Sequence, residues 1–169
     1  MIRAVTDLDI SEIIRIYNYY VINTAITFES EPVSFEDMVL RVENTKSSNL
    51  PWLVAQDDDV IIGYAYASNW KGRCAYKHSV EITVYLDHKA TTKGWGTKLY
   101  TQLLEQLKST GYHVAIGGIS LPNPASIALH EKLGMKQVAH FEEIGHKFDQ
   151  WIDVGYWQCL INKSNNKPE

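Results

Sequence analysis

The chain has 169 residues, 45% of them hydrophobic, enough for one domain with its own core and too few for two ordinary ones. A formal charge of −4 at pH 7, with lysines scattered among acids, leaves no basic footprint for nucleic acid. No apolar run reaches membrane-spanning length and Met1-Ile-Arg-Ala-Val-Thr-Asp lacks the apolar core of a signal peptide, so a cytoplasmic protein with no membrane partner is expected.

Two cysteines, Cys74 and Cys159, make no disulfide framework at this length, and a reducing compartment keeps them as thiols. Nothing beside Cys74 marks an activating base for a catalytic thiol. The histidines show no metal-ligand spacing, so no metal site is implied.

In chain order, Ile2 to Val5 reads as an opening strand. Asp9 with Glu12 three residues on makes a capping-box start, and Ile10, Ile13, Ile14, Tyr17 and Val21 mark the core face of a first helix. Asn23 to Glu29 is too mixed to assign. Ser34 caps a second helix whose buried side is expected at Phe35, Met38, Val39 and Val42. Pro51 to Gln56 and Val60 to Ala67 form a hairpin around Asp57-Asp-Asp59, which lacks the spacing and closing Glu of a calcium loop. Gly63 inside the second strand marks a bulge or a close backbone approach.

Asn69 to His78 is cationic and aromatic together, which suits an acceptor carrying a negative group. Arg73 offers a planar fork for a carboxylate or tetrahedral oxyacid, and Trp70 and Tyr76 offer walls. Ordinary packing of the aromatics and a solvated Arg73 fit the same residues.

Glu81 to Leu86 alternates polar and apolar residues as a half-buried strand does, which places the Glu81 carboxylate toward a cleft. A loop with Gly94-Trp-Gly96 follows, and Leu99, Leu103 and Leu107 then recur at helical spacing until Gly111. A glycine-bearing loop that opens a helix is an anion site, because the first backbone N–H groups of a helix lack internal partners and its dipole end is positive. Neither a P-loop nor a dinucleotide fingerprint fits, since Gly96 precedes Thr97-Lys98 and Leu99 stands where a third Gly is needed. A tight strand-to-helix turn without a ligand would show the same glycines.

His113 to Ser120 is a further strand with a glycine pair, Gly117-Gly118, that permits close approach to its backbone. Asn123 caps a short helix begun by Pro124, lined by Ile127, Ala128 and Leu133 and ended by Gly134. His130 lies on it. Val138 to Ile144 and Val154 to Ile161 form the last strand pair, and the polar residues 162–169 form a tail behind a single domain spanning 1–161.

Thr91-Thr-Lys-Gly94-Trp-Gly96 resembles motif A of the GCN5-related N-acetyltransferases, where a Gln/Arg-x-x-Gly-x-Gly/Ala loop holds the pyrophosphate of acetyl-coenzyme A; Thr91 departs from it at the first position. Trp70-Lys-Gly-Arg73-Cys-Ala-Tyr76 up to Glu81, Leu121-Pro-Asn123 up to His130-Glu-Lys-Leu-Gly134, and Gly145-His-Lys-Phe-Asp-Gln-Trp151 up to Trp157-Gln together resemble the phosphinothricin and methionine sulfoximine/sulfone acetyltransferases, over nearly the whole chain. The resemblance implies an α/β (α+β) fold, with a mixed seven-stranded sheet, about four helices and splayed central strands.

It further implies acetyl transfer from acetyl-CoA to the α-amine of a small amino-acid analogue, a homodimer, no metal, and detoxification of an antibiotic or herbicide. Carried over residue by residue, it makes Glu81 the general base and His130 a general acid or proton relay. Val84, Tyr85, Leu86, Thr92, Lys93, Gly94, Trp95, Gly96, Thr97 and Asn123 become cofactor-binding, and Phe28, Glu29, Arg73 and Tyr76 acceptor-binding. A packed His130 with no proton role, a solvated Glu29, a noncatalytic acyl-CoA sensor and an enzyme for another amine are the competing readings.

Overall fold

The computed structural model describes residues 1–90 and 94–162; Thr91, Thr92, Lys93 and residues 163–169 lie outside the described residues. Seven strands form one sheet: β1 (Ile2–Ala4), β2 (Trp52–Asp57), β3 (Val60–Asn69), β4 (Ser79–Leu86), β5 (Val114–Leu121), β6 (Lys136–Lys147) and β7 (Gln150–Leu160). Their order is β1-β2-β3-β4-β5-β7-β6, antiparallel except where β4 meets β5. Helices α1 (Ile10–Asn23) and α2 (Phe35–Ser47) precede β2, α3 (Trp95–Ser109) joins β4 to β5, and α4 (Pro124–Lys132) joins β5 to β6.

The period-two pattern of the central strands divides the core. On one face Trp52, Val54 and Tyr64 pack with Ile10, Ile13, Ile16, Tyr17 and Val21 of α1 and Met38 and Val42 of α2. On the other, Leu53, Ala55, Ala65, Ala67, Val80 and Ile82 meet Leu99, Tyr100, Leu103 and Leu107 of α3. Because both faces are covered, β2 is apolar along most of its length. Small alanines beneath α3 give its leucines room to reach the sheet.

Several expected boundaries move. The capping pair lies one turn earlier than Asp9 with Glu12: Asp9 Oδ2 accepts from Thr6 N at 2.8 Å and Thr6 Oγ1 at 2.9 Å, and Glu12 instead pairs with Arg15 at 2.9 Å. A 3-10 turn at Asp7–Asp9 therefore precedes α1. Phe35 is exposed, because it opens α2 ahead of the buried Met38 and Val42. Ser34 caps α2 as expected, accepting from Asp37 N at 3.1 Å. The final hairpin is longer than its apolar runs: β6 and β7 pair as far as Lys147↔Gln150, and only Phe148 and Asp149, at φ of 51° and 55°, make the turn. Positive φ at both positions gives the twist a two-residue hairpin needs. Gly63 has both features expected of it: the β2/β3 register slips opposite it, and an added Cβ would lie 2.8 Å from Tyr85 O.

Asp9 is buried, and burial alone would raise its pKa, but the Arg3 fork at 2.7 Å and the Thr6 donors outweigh it and hold the carboxyl below its ordinary value. A depressed carboxyl stabilises the fold above its unfolded pKa and loses that contribution as pH falls through the folded value. Asp9→Asn should therefore cost about 1–3 kcal/mol at pH 7. In urea melts against pH, the gap to the parent should shrink on acidification below the ordinary carboxylate range.

Candidate active site

Strands β4 and β5 pair in parallel at Ser79↔Val114, Val80↔Ala115 and Glu81↔Ile116 and then separate. Neither strand ends there. β4 stays paired with β3 as far as Gly63↔Leu86, and β5 with β7 as far as Leu121↔Asp153. The sheet is thus split by a wedge whose apex lies just past Glu81. The β3/β4 register is unbroken from Val80 to Leu86, so any free amides of β4 arise from the strand separation and not from a bulge.

Two side chains fill the apex. Tyr100, from α3, is buried and donates its hydroxyl to Ile82 O at 3.2 Å. His130, from α4, is also buried, its ring 5.2 Å from that of Tyr100 and nearly perpendicular to it. The glycine pair explains how they fit. A Cβ at Gly117 would run into the His130 imidazole, while one at Gly118, on the opposite face, would meet Tyr156 at 3.1 Å and Glu81 Oε1 at 3.3 Å.

His130 Nδ1 lies 2.8 Å from Ser126 O, and a carbonyl only accepts, so Nδ1 carries the proton. Nε2 then presents a lone pair, 3.5 Å from the Tyr100 hydroxyl. Burial pushes the His130 pKa down, against the opposing pull of the Ser126 bond. The ring is neutral near pH 7.

On the other side of the sheet, a cavity of about 760 Å³ is lined by Glu81, Lys71, Trp70, Tyr156, Phe28 and Phe141, among others. A small one of about 60 Å³ occupies the apex, with Asn123, Ser126 and His130 on its wall. Ile26, Thr83, Tyr85, Gly118 and Ser120 line both, so the two spaces share a wall at the wedge. Burial raises the pKa of Glu81, partly offset by the charge of Lys71. Among the described residues, Lys71 is the one cation and Glu81 the one anion lining the larger cavity.

The expected cofactor residues divide between the wedge and the start of α3, where Trp95 and Thr97 line a separate cleft with Met1 and Ile2. Val84 and Tyr85 line the apex, and Leu86 O accepts from Tyr20 at 2.7 Å. Gly94, at φ 70°, is the left-handed cap before α3, a conformation that favours glycine. Gly96 is buried against α4, where a Cβ would sit 3.2 Å from Leu129. Trp95 and Thr97 complete the first turn of α3, and the Lys98 ammonium lies 4.4 Å from the Trp95 ring centroid. Asn123 caps α4, accepting from Ser126 N at 3.1 Å. Thr92 and Lys93 lie outside the described residues.

The expected acceptor residues divide. Phe28 lines the cavity, its ring pressed over Gly145. Glu29 is not in the lining; it pairs with Arg41 at 2.8 Å and accepts from Tyr17 at 3.0 Å. Arg73 and Tyr76 are exposed on the loop that carries Trp70 and the likewise exposed Lys71 to the cavity, Arg73 standing just before a 3-10 turn at Cys74–Tyr76, and neither lines the cavity. Sequence reasoning missed Lys71, Tyr100 and Tyr156. Lys71 lay within a stretch already marked as cationic and aromatic, whereas Tyr100 shares the helical face of Leu99 and Leu103 and reads as core.

An open parallel seam beside a glycine-capped helix start, with a half-buried carboxylate just before it, suits a transferase that takes its group from an extended thioester carrier. A family model described as "Acetyltransferase (GNAT) domain" matches residues 2–155. The chain belongs to this family and is an acetyl-CoA-dependent N-acetyltransferase. It is 37% identical over 157 residues to a phosphinothricin N-acetyltransferase of Streptomyces viridochromogenes, covering 93% of this chain and 85% of the relative. It is 31% identical over 162 residues to an L-methionine sulfoximine/L-methionine sulfone acetyltransferase of Salmonella typhimurium, covering 96% and 95%. A solved GNAT phosphinothricin acetyltransferase from Sinorhizobium meliloti, in complex with acetyl-CoA, matches with TM-score 0.97 at 33% identity, covering 100% of this chain and 92% of that one.

NMR titration of the imidazoles should place His130 below the ordinary histidine value of about 6.5, with the neutral ring protonated on Nδ1. A midpoint at or above that value would contradict the burial and tautomer just described.

Proposed function

We propose that the protein transfers acetyl from acetyl-CoA directly to the α-amine of a small amino-acid analogue of the phosphinothricin, methionine sulfoximine or methionine sulfone type. The observation that carries this reading is the position of Glu81, the last residue before the wedge, with its side chain in the larger cavity and no hydrogen-bond partner among the described residues. An α-ammonium must lose a proton before it attacks a thioester. Glu81, directly or through water, takes that proton. The amine nitrogen then bonds to the acetyl carbon, the C–S bond breaks, and the carrier leaves as thiolate.

Main-chain amides at Val84, Tyr85 and Leu86 suit the developing oxyanion. Those of the Gly94 to Thr97 turn, together with Thr92 and Lys93, suit the pyrophosphate. Asn123 suits the pantetheine arm. His130 is neutral with its lone pair toward Tyr100, which fits a relay that first takes up a proton better than a ready-made acid.

One cation and one anion at the cavity match an α-amino acid, with its amine at Glu81 and its carboxylate near Lys71. Phe28 forms part of the side-chain wall. For Arg73 and Tyr76 to hold the acceptor, the exposed loop would have to turn inward on binding, and Glu29 would act only through Tyr17 and the connection it anchors. The working form we propose is a cytoplasmic homodimer that detoxifies such analogues. Exposed Phe148 and Trp151 on the β6/β7 hairpin support the dimer, which sedimentation would test.

Acetyl-CoA offered with methionine sulfone, methionine sulfoximine and phosphinothricin should release thiol with at least one of them. Release with none would move the acceptor to another amine. Glu81→Gln should lower kcat on the order of a hundredfold or more with acetyl-CoA affinity unchanged. Because the base must be ionised and its pKa is raised, kcat/KM should begin to fall on acidification earlier than an ordinary carboxylate would allow. Full activity of the variant at neutral pH removes Glu81 from the role.

A further inference from the structure

Lys147 ends β6, yet it is only 7% exposed. Its ammonium donates to Val21 O at 2.7 Å and to Thr27 O at 2.8 Å. Lysines are seldom buried unless their charge is met. Here it is met from several sides. Val21 lies in the last turn of α1, where carbonyls lack intrahelical partners and the dipole end is negative. The Phe148 ring centroid is 5.1 Å from Nζ, and Glu29 adds an attractive charge.

Thr27 belongs to the connection between α1 and α2, residues 24–34, which sends Ile26, Thr27 and Phe28 into the lining of the larger cavity. The same hairpin grips this connection a second time, since the Phe28 ring covers Gly145 with no room for a Cβ. On its inner side, Thr27 Oγ1 meets the Tyr17 hydroxyl at 2.9 Å. One cavity wall therefore hangs between α1 and the end of β6, with the lysine as its charged link to the hairpin and the Glu29–Arg41 pair as its link to α2.

We propose that Lys147 is a positioning residue for the acceptor: it fixes the 24–34 connection against the β6/β7 hairpin and so sets how the Phe28 wall stands relative to Glu81. This rests on the larger cavity being the acceptor site. Removing the donors leaves two buried carbonyls unpaired, which drives the connection outward toward water. Gly94 to Thr97 and Asn123 sit on other elements, and of the connection only Ile26 reaches the apex cavity, so the effect falls mainly on the acceptor.

Lys147→Met keeps the approximate shape and deletes the donors. Acceptor KM should rise about tenfold, while acetyl-CoA KM stays within about twofold and kcat falls less than KM rises. Amide exchange across residues 24–34 should speed up, and Lys147→Arg should recover part of both effects. Acceptor KM unchanged, or rising in step with acetyl-CoA KM, overturns the proposal. Should Lys147→Met not fold, Gly145→Ala tests the same wall by dislodging Phe28 with the lysine in place. It should raise acceptor KM alone, and an unmoved acceptor KM again overturns the idea. If the parent acetylates none of the amines offered, the acceptor reading fails by itself and exchange decides: unchanged protection of residues 24–34 in Lys147→Met overturns the positioning role.

Discussion

The parallel contact between β4 and β5 stops after Glu81↔Ile116 while both strands continue beside their other neighbours. Sheets rarely give up pairing, because each unpaired N–H and C=O in a buried place needs a partner. Here the separation is held from within. Tyr100 and His130 occupy the apex, Tyr100 takes up the carbonyl of Ile82, and Gly117 has no side chain to push the imidazole out. Farther out, the lips present backbone groups to whatever enters. An extended carrier with amide groups of its own meets that requirement as a missing strand would.

The same split orders the chemistry. Gly118 leaves space on the side of the larger cavity for the Glu81 carboxylate, and Gly117 does so on the helical side for His130, so the two titratable groups lie on opposite faces of one strand. Burial acts on them in opposite senses: it raises the carboxyl pKa and lowers that of the imidazole. Both shifts favour the uncharged form. Lys71 opposes that trend at Glu81 and keeps the carboxylate nearer to its ionised state. In its proposed role as base, ionised yet partly desolvated, Glu81 benefits from a cation close enough to matter and not bonded to it.

Much of this was legible in the sequence where a local rule governs. Alternation gave the β4 face of Glu81, Gly94 and Gly96 marked the helix start, and the Asn123-Pro124 cap placed His130 on α4. Long-range pairings were illegible. Glu29 reads as a free carboxylate beside Phe28, but Arg41, twelve residues on, captures it. Arg73 and Tyr76 share a motif with Lys71 and all three are exposed, yet the loop's path brings only Lys71 to the cavity. Lys147 looks like an ordinary turn charge, and only the packing of α1 and of the connection behind it against the last hairpin gives it two carbonyls, 126 and 120 residues away.

These long-range links share a physical logic. The proposed carrier side of the site is built from backbone: a left-handed glycine, a helix start, a split in the sheet. Such features vary little with side-chain chemistry. The proposed acceptor side adds to the side chains of β3, β4 and β5 those of three further segments, namely the 24–34 connection, the loop after β3 and the final hairpin, and its shape depends on contacts among them. On that proposal, selectivity for the amine resides in the less locally determined half of the molecule. A substitution far from Glu81 in sequence can change which acceptor fits while the thioester is held as before.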